Sequence, residues 1–274
     1  MRRAPLGRLL GLVVAGIVLT TAVSCDWEGM WFKRSPRVKL VLSERSDDVS
    51  IWAPVVGPSG NEFYYLRSPG ESNGHGFTDM AGELWKASID GSHARLVTAG
   101  SFGAFALSPD GSRLALTTCT KYLLLADYEG RILDTLARRQ TGTLWGVWFS
   151  RRDTQCLFYA VDGLYFTVNL DGSETHEVPV DSIDGFPWVQ PSGQHTVITR
   201  SSESQWDLGV VDAQTGDTTM LHTSPYRHSW THGELACWTP DEDAVVFTAF
   251  EWQEGDPNQP TPSEIWKYQP VFDR

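Results

Sequence analysis

Few stretches of this 274-residue chain carry the 3.6-residue apolar periodicity of a surface helix, which argues against a helical bundle or a helical solenoid. Basic charge is also scarce: 22 Lys and Arg stand against 34 Asp and Glu, a formal net of -12. A body this acidic repels phosphate backbones and anionic headgroups, so nucleic-acid binding is disfavoured and basic partners or cations are favoured. Only four cysteines occur, none with the paired spacing of a zinc site. What the chain does have is aromatics: 12 Trp, 12 Phe and 8 Tyr, a supply suited to sheets packed face to face.

The dominant pattern is a repeat. Ala106 begins ALSPDGSRLALTT, an apolar run, a turn and a second apolar run; the same phrase recurs in degraded form from Val55, Trp148, Trp188 and Cys237. The turns fall at Pro58, Pro109, Arg151, Pro191 and Pro240, spaced 51, 42, 40 and 49 residues apart. That period belongs to a four-stranded propeller blade. In each of the first four repeats a third strand ends at a glycine turn, Asp90-Gly91, Glu129-Gly130, Asp171-Gly172 or Thr215-Gly216, and a fourth, outer strand follows. Glycine accepts the positive φ that such hairpins require. The last repeat stops after its third strand, Glu264 to Pro270, whereas a fourth-strand-like segment from Arg37 to Arg45 precedes the first. Ring closure follows: the N-terminal segment supplies the outer strand of the final blade and removes the open edge. The expected fold is an all-β propeller of five four-stranded blades, with a six-bladed ring as the alternative.

The phrase SPDGSRLAL, a following hydrophobic strand and an Asp-Gly turn resemble the WD-like repeat of the TolB-type β-propellers, which also recurs in propeller domains of prolyl-oligopeptidase-like enzymes. The resemblance covers roughly residues 50 to 270, and only the second repeat keeps the motif intact. TolB-type members usually have six blades and serve envelope complexes through protein contacts. No hydrolase domain follows the repeats in this chain, so a prolyl-oligopeptidase-like peptidase is not expected.

Arg2, Arg3 and Arg8 precede an apolar run from Leu9 to Val23, too short for a comfortable membrane span and ending in small residues, as an export signal does. Ala22-Val23-Ser24-Cys25 resembles a bacterial lipobox, which implies a signal over residues 1–24, lipidation of Cys25, a tether over 25–36 and a propeller over 37–274. Two or more acyl chains make such an anchor stable. An ordinary cleaved signal is the alternative. Asp26 after the lipidated cysteine resembles the inner-membrane retention signal of enteric bacteria. The expected location is thus a membrane-anchored lipoprotein facing the periplasm or the cell exterior. Removing the leader takes away three of the 22 basic residues and none of the 34 acidic ones, for a net of -15. Cys119, Cys156 and Cys237 remain, all on or beside strands, where small buried hydrophobe roles are expected; a Cys119–Cys156 bridge is the alternative.

Loop length points to a binding face. Turns after first and third strands emerge on one face of a propeller, and the second-to-third and blade-to-blade connections on the other. Nearly all the extra length falls on that second face, in Arg67 to Gly82 of blade one, Glu251 to Ser263 of blade five, and Ser224 to Gly233 between blades four and five. Loops this long in a compact domain commonly carry function. They hold the candidate binding residues His75, Asp79, His228, Trp230, His232, Glu234, Glu251, Trp252 and Asp256, with Glu83 and Glu254 beside them. The primary expectation is a non-catalytic scaffold that binds an envelope protein and carries neither catalytic residues nor a cofactor. Carbohydrate stacking on the tryptophans or a divalent cation held by the histidines and carboxylates is the second reading. A glycoside hydrolase-like five-bladed propeller is the third; it requires two carboxylates from different inner strands facing one pocket, where the sequence offers Asp184 and Glu234 at the border without a recognisable pair.

Overall fold

The computed structural model of the chain describes residues 38–44, 49–68, 81–118, 121–139, 142, 144–201, 206–220, 229–230, 236–251 and 263–270. These residues form strands and turns, with one short 3-10 turn at Val180–Ser182. In chain order the strands are β1 Val38–Glu44, β2 Ile51–Val56, β3 Glu62–Arg67, β4 Gly82–Ser88, β5 Arg95–Leu107, β6 Arg113–Thr118 and β7 Tyr122–Asp127. They continue as β8 Ile132–Arg138, β9 Leu144–Phe149, β10 Cys156–Val161, β11 Leu164–Asn169, β12 His176–Val178, β13 His195–Ser201 and β14 Trp206–Asp212. The last five are β15 Thr218–Met220, β16 Ser229–Trp230, β17 Ala236–Trp238, β18 Val245–Glu251 and β19 Ser263–Tyr268.

The antiparallel pairings group these strands into five blades of a β-propeller. Blade three is the order β9-β10-β11-β12, inner to outer. Blades one and two share a seven-stranded sheet because β5 serves both: Arg95 to Thr98 pairs with β4 as the outer strand of blade one, and Phe102 to Leu107 pairs with β6 as the inner strand of blade two. No loop separates the two roles that the sequence suggests as separate strands. Blade five is built from β17, β18 and β19, and β1 completes it by pairing antiparallel with β19, from Val38 opposite Tyr268 to Glu44 opposite Ser263. Ring closure by the N-terminal strand is therefore a structural fact.

The core lies between the blades, in five clusters. Trp52, Leu66 and Leu84 of blade one meet Phe105, Leu114 and Leu116 of blade two. Leu123 and Leu125 meet Val147, Leu157 and Tyr159 of blade three. Trp148 and Phe158 meet Ile183, Phe186 and Trp188 on the way into blade four. Val197 and Leu208 meet Trp238 and Phe247 of blade five. Val246, Cys237 and Ile265 return to Ile51, Phe63 and Tyr65 of blade one, with Val41 of the closing strand. Five seams for five blades close the circle, and the alternation of strand side chains lets each blade contribute to two of them.

Turn chemistry explains the repeated phrase. In blade two Ser108 donates its hydroxyl to Asp110 at 2.6 Å, and Asp110 accepts from the Ser112 amide at 3.0 Å. These bonds hold the Asp110 carboxyl down at about 2. Gly111 then takes φ +72°. Asp90 and Asp171 make the same bonds to Ser92 and Ser173, so part of the acidic excess is consumed by turns. In blade five the glycine slot holds Glu242 at φ +62°, and its carboxylate reaches the Ser192 amide of the blade-four turn at 2.7 Å.

One element departs from expectation. The inner strand of blade four, expected at Phe186 to Val189, is reduced to an isolated bridge between Val189 and Thr196. Pro187 and Pro191 flank this segment and donate no backbone bond. Its carbonyls find other donors: the Arg151 guanidinium takes Phe186 O at 2.8 Å, Val189 O at 2.6 Å and Gln190 O at 3.0 Å. Trp188 O accepts from Val197 and from the indole of Trp238, and Pro187 O from the Trp238 amide. The carbonyls are thus satisfied partly by side chains and partly by two neighbouring backbone amides, without a regular ladder.

Candidate functional site

The strand directions place two kinds of connection on opposite faces. Val56, Leu107 and Phe149 end inner strands at tight turns on one face. Arg67, Gly82, Glu251 and Ser263 bound the long connections on the other, the long-loop face. Glu44, at the end of β1, opposes Ser263 and so lies on the long-loop face, whereas Val38 opposes Tyr268 and lies on the turn face.

At the roots of the long connections, side chains tie blade five to blade one. The Ile51 amide donates to Ser263 Oγ at 2.6 Å, and the Ser50 amide to Ser68 Oγ at 2.9 Å. Arg67 pairs with Glu44 of the closing strand at 3.4 Å and lies 5.0 Å over the ring of Trp85. Ser43 donates to Glu264 at 3.2 Å. A second device occurs twice: the Trp85 indole donates to Glu83 at 3.1 Å, and the Trp266 indole donates to Glu264 at 3.1 Å. Glu264 is almost fully buried, so these bonds compensate its lost hydration. The sequence carried a signal for this device, since Glu83-Leu84-Trp85-Lys86 reappears as Glu264-Ile265-Trp266-Lys267. Neither the pairing of Arg67 with Glu44 nor the role of Ser263 was legible there, because both join residues brought together only by ring closure.

The blade four to five connection reaches the same roots. Ser229 and Trp230 form a short strand against β18, with Ser229 opposite Glu251 and Trp230 opposite Phe250. Backbone pairing thus brings one candidate residue, Trp230, next to the strand end that carries another, Glu251. His75, Asp79, His228, His232, Glu234, Trp252 and Asp256 lie outside the described residues, as do Glu254 and Cys25 with its signal and tether. Glu83 is engaged with Trp85, as above. Among the described residues no group of three or more histidines, cysteines or carboxylates is placed to hold a metal ion.

The described inner strands, Ile51–Val56, Leu144–Phe149 and Ala236–Trp238, and the inner half of β5 carry no Asp or Glu. Asp184, the border carboxylate of blade three to four, is occupied structurally: it accepts from the Arg151 amide at 3.1 Å and the Arg152 amide at 3.1 Å, and lies 3.5 Å from the Arg152 guanidinium. The loop residues Gly70 to Gly74 spell Gly-x-Ser-x-Gly, the letters of a nucleophile elbow. They fall between β3 and β4 in the chain and lie outside the described residues. Cys156 and Cys237 are free thiols. Cys156 opens β10 on the turn face, whereas Thr118, next to Cys119, ends β6 on the long-loop face.

No protein-family model matches the chain, and no curated protein does. Solved structures match in fold. The structure of U3-55K superposes with a TM-score of 0.51 at 11% identity, covering 84% of this chain and 98% of that one. RRP9 WD40 repeats give 0.49 at 12% identity, over 84% and 97% of the two chains. TolB from Acinetobacter baumannii gives 0.43 at 14% identity, over 81% of this chain and 55% of that one, so the match spans about half the length of that protein. The class established is the β-propeller.

Proposed function

We propose that the chain is a non-catalytic binding propeller of the bacterial cell envelope, tethered to a membrane through lipidated Cys25, which presents its long-loop face to a protein partner. The observation that carries this reading is the joining, on one face, of the strand ends from which the long connections depart. The connections that leave β3 and β18 spring from roots joined by the Ile51–Ser263, Arg67–Glu44 and Ser43–Glu264 bonds, and the strand at Ser229–Trp230 pairs beside them. Loops rooted on a joined scaffold are the arrangement in which propellers carry recognition. The lack of carboxylates on the described inner strands supports binding over glycoside hydrolysis.

β1 begins on the turn face, and a tether from Cys25 to Arg37 reaches about 45 Å when extended. Site-specific photo-crosslinkers at Trp230 and Trp252, compared with crosslinkers at Asp171 and Glu174 on the turn face, test the reading in native membranes. A protein adduct from the first pair alone supports it; equal adducts from both pairs, or from the second alone, overturn it.

A further inference from the structure

A second feature of the long-loop face lies away from blades five and one, at the seam between blades two and three. Lys121 immediately precedes β7 and Arg139 immediately follows β8; the Arg139 amide donates to Lys121 O at 2.9 Å, so the two residues stand directly opposite each other. Both side chains are on the side of the blade that faces blade three: Lys121 shares the side of Leu123 and Leu125, and Arg139 packs its guanidinium 4.2 Å over the Phe166 ring. Like charges directly opposite on a sheet are destabilising. Among the described residues no carboxylate lies within ion-pairing distance of Lys121, Arg138 or Arg139, although the chain has 34 acidic residues. Among the described residues, Lys121 and Arg139 therefore stand without counter-ions on the blade-three side of blade two, and Arg138 does so on its other side.

The guanidiniums are held by rings, which fixes their position and leaves the charge unneutralised. Arg139 donates one bond to the Tyr159 hydroxyl at 3.2 Å, and Tyr159 stacks on Phe166 at 5.4 Å. Arg138, on the other side of the same strand edge, sits 5.5 Å over Tyr122. A guanidinium positioned by an aromatic face keeps edge N–H donors for an incoming anion, the geometry that suits a carboxylate. Beside them, on the same side of β11 as Phe166 and nearer the loop face, Leu164 is 49% exposed.

We propose that Lys121 and Arg139 form an anion clamp for an acidic peptide segment of a protein partner, with an apolar side chain of that segment seated on Leu164. Charge complementarity commits the site to a carboxylate ligand, and the apolar shelf favours a peptide over a free ion. The site stands apart from the loops of blades five and one, so its failure leaves that reading untouched.

The test uses the full chain and a fluorescent probe peptide of alternating Glu and Leu, beside its Gln-for-Glu counterpart, inorganic phosphate, and vesicles of anionic lipid. The acidic peptide is expected to bind with an affinity that falls as salt rises, and the Gln peptide to bind at least tenfold more weakly. Lys121→Glu and Leu164→Ser, both at exposed positions, are each expected to weaken the acidic peptide about tenfold while the melting temperature stays within a few degrees. Arg139→Lys keeps the charge, gives up the planar fork and is expected to bind with intermediate affinity. Equal binding of the Gln peptide overturns the proposal, as does undiminished affinity in Lys121→Glu. Preferential binding of phosphate or of the vesicles, with no peptide selectivity, overturns it as well.

Discussion

Arg151 and Asp184 cap each other across the seam between blades three and four: the Asp184 carboxylate accepts the Arg151 amide at 3.1 Å, while the Arg151 guanidinium donates to the carbonyls of Phe186 and Val189, just beyond Asp184 in the chain. Burial works against the Arg151 charge, and Asp184 and Glu242 support it. Bonds to a charged donor contribute roughly 1.5 to 3 kcal/mol each and overlap when they share one group. Arg151→Ala is therefore expected to lower stability by about 2 to 4 kcal/mol, read as a shift in the urea midpoint. Asp184→Ala is expected to cost less than the sum predicts when combined with it, since the two changes break one network; strict additivity contradicts the mutual cap.

Gly91 and Gly216 provide a matched pair. Both take positive φ, +84° and +75°, so alanine at either meets the same conformational penalty, about 1 kcal/mol. A Cβ at Gly91, however, sits 1.8 Å from Val41 O of the closing strand, whereas one at Gly216 meets nothing within 4 Å. Gly91→Ala should destabilise by several kcal/mol and Gly216→Ala by about 1 kcal/mol in thermal unfolding. Equal losses contradict the close approach of the turn to β1.

Acid unfolding should show the blade-two turn. Because the folded Asp110 carboxyl is held at about 2, below its unfolded value near 4, its contribution is complete above about pH 4 and fades as pH falls toward 2. The stability gap between the native chain and Asp110→Asn is expected at pH 7 and should close between pH 4 and pH 2. A gap independent of pH over that window contradicts the hydrogen-bonded carboxylate.

The thiol of Cys237 is fully buried in the seam between blades five and one, and burial pushes it up to about 12. A thiol reagent at pH 8 should leave Cys237 unmodified in the folded protein and label it at once in denaturant. Rapid native labelling at that position contradicts a closed seam.

The blade count and the closing strand were legible because they rest on local chemistry: turns of the Pro-x-Gly type, intact in three of the five repeats, recur every 40 to 51 residues, and a missing outer strand at one end matches a spare one at the other. Blade four was legible only in part. Phe186 to Gln190 has the aromatic composition of an inner strand, but its partner groups come from Arg151 in the previous repeat, where the motif's proline is replaced. That replacement reads in sequence as decay of the repeat and in structure as a brace. The loops of the candidate site were legible by length, whereas the roots that hold them depend on Glu44, Ser43 and Ser263, which meet across more than 200 residues of chain.

The most direct test of a binding propeller is affinity capture from native membranes with the intact chain and with two variants, one with 69–80 shortened and one with 252–262 shortened. Both leave the Arg67–Glu44 and Ile51–Ser263 roots in place, and each variant is first shown to keep the native melting temperature. A partner retained by the intact chain and lost by either folded variant is the predicted result. The same partner captured equally by all three places recognition elsewhere and contradicts the long-loop face as the binding surface.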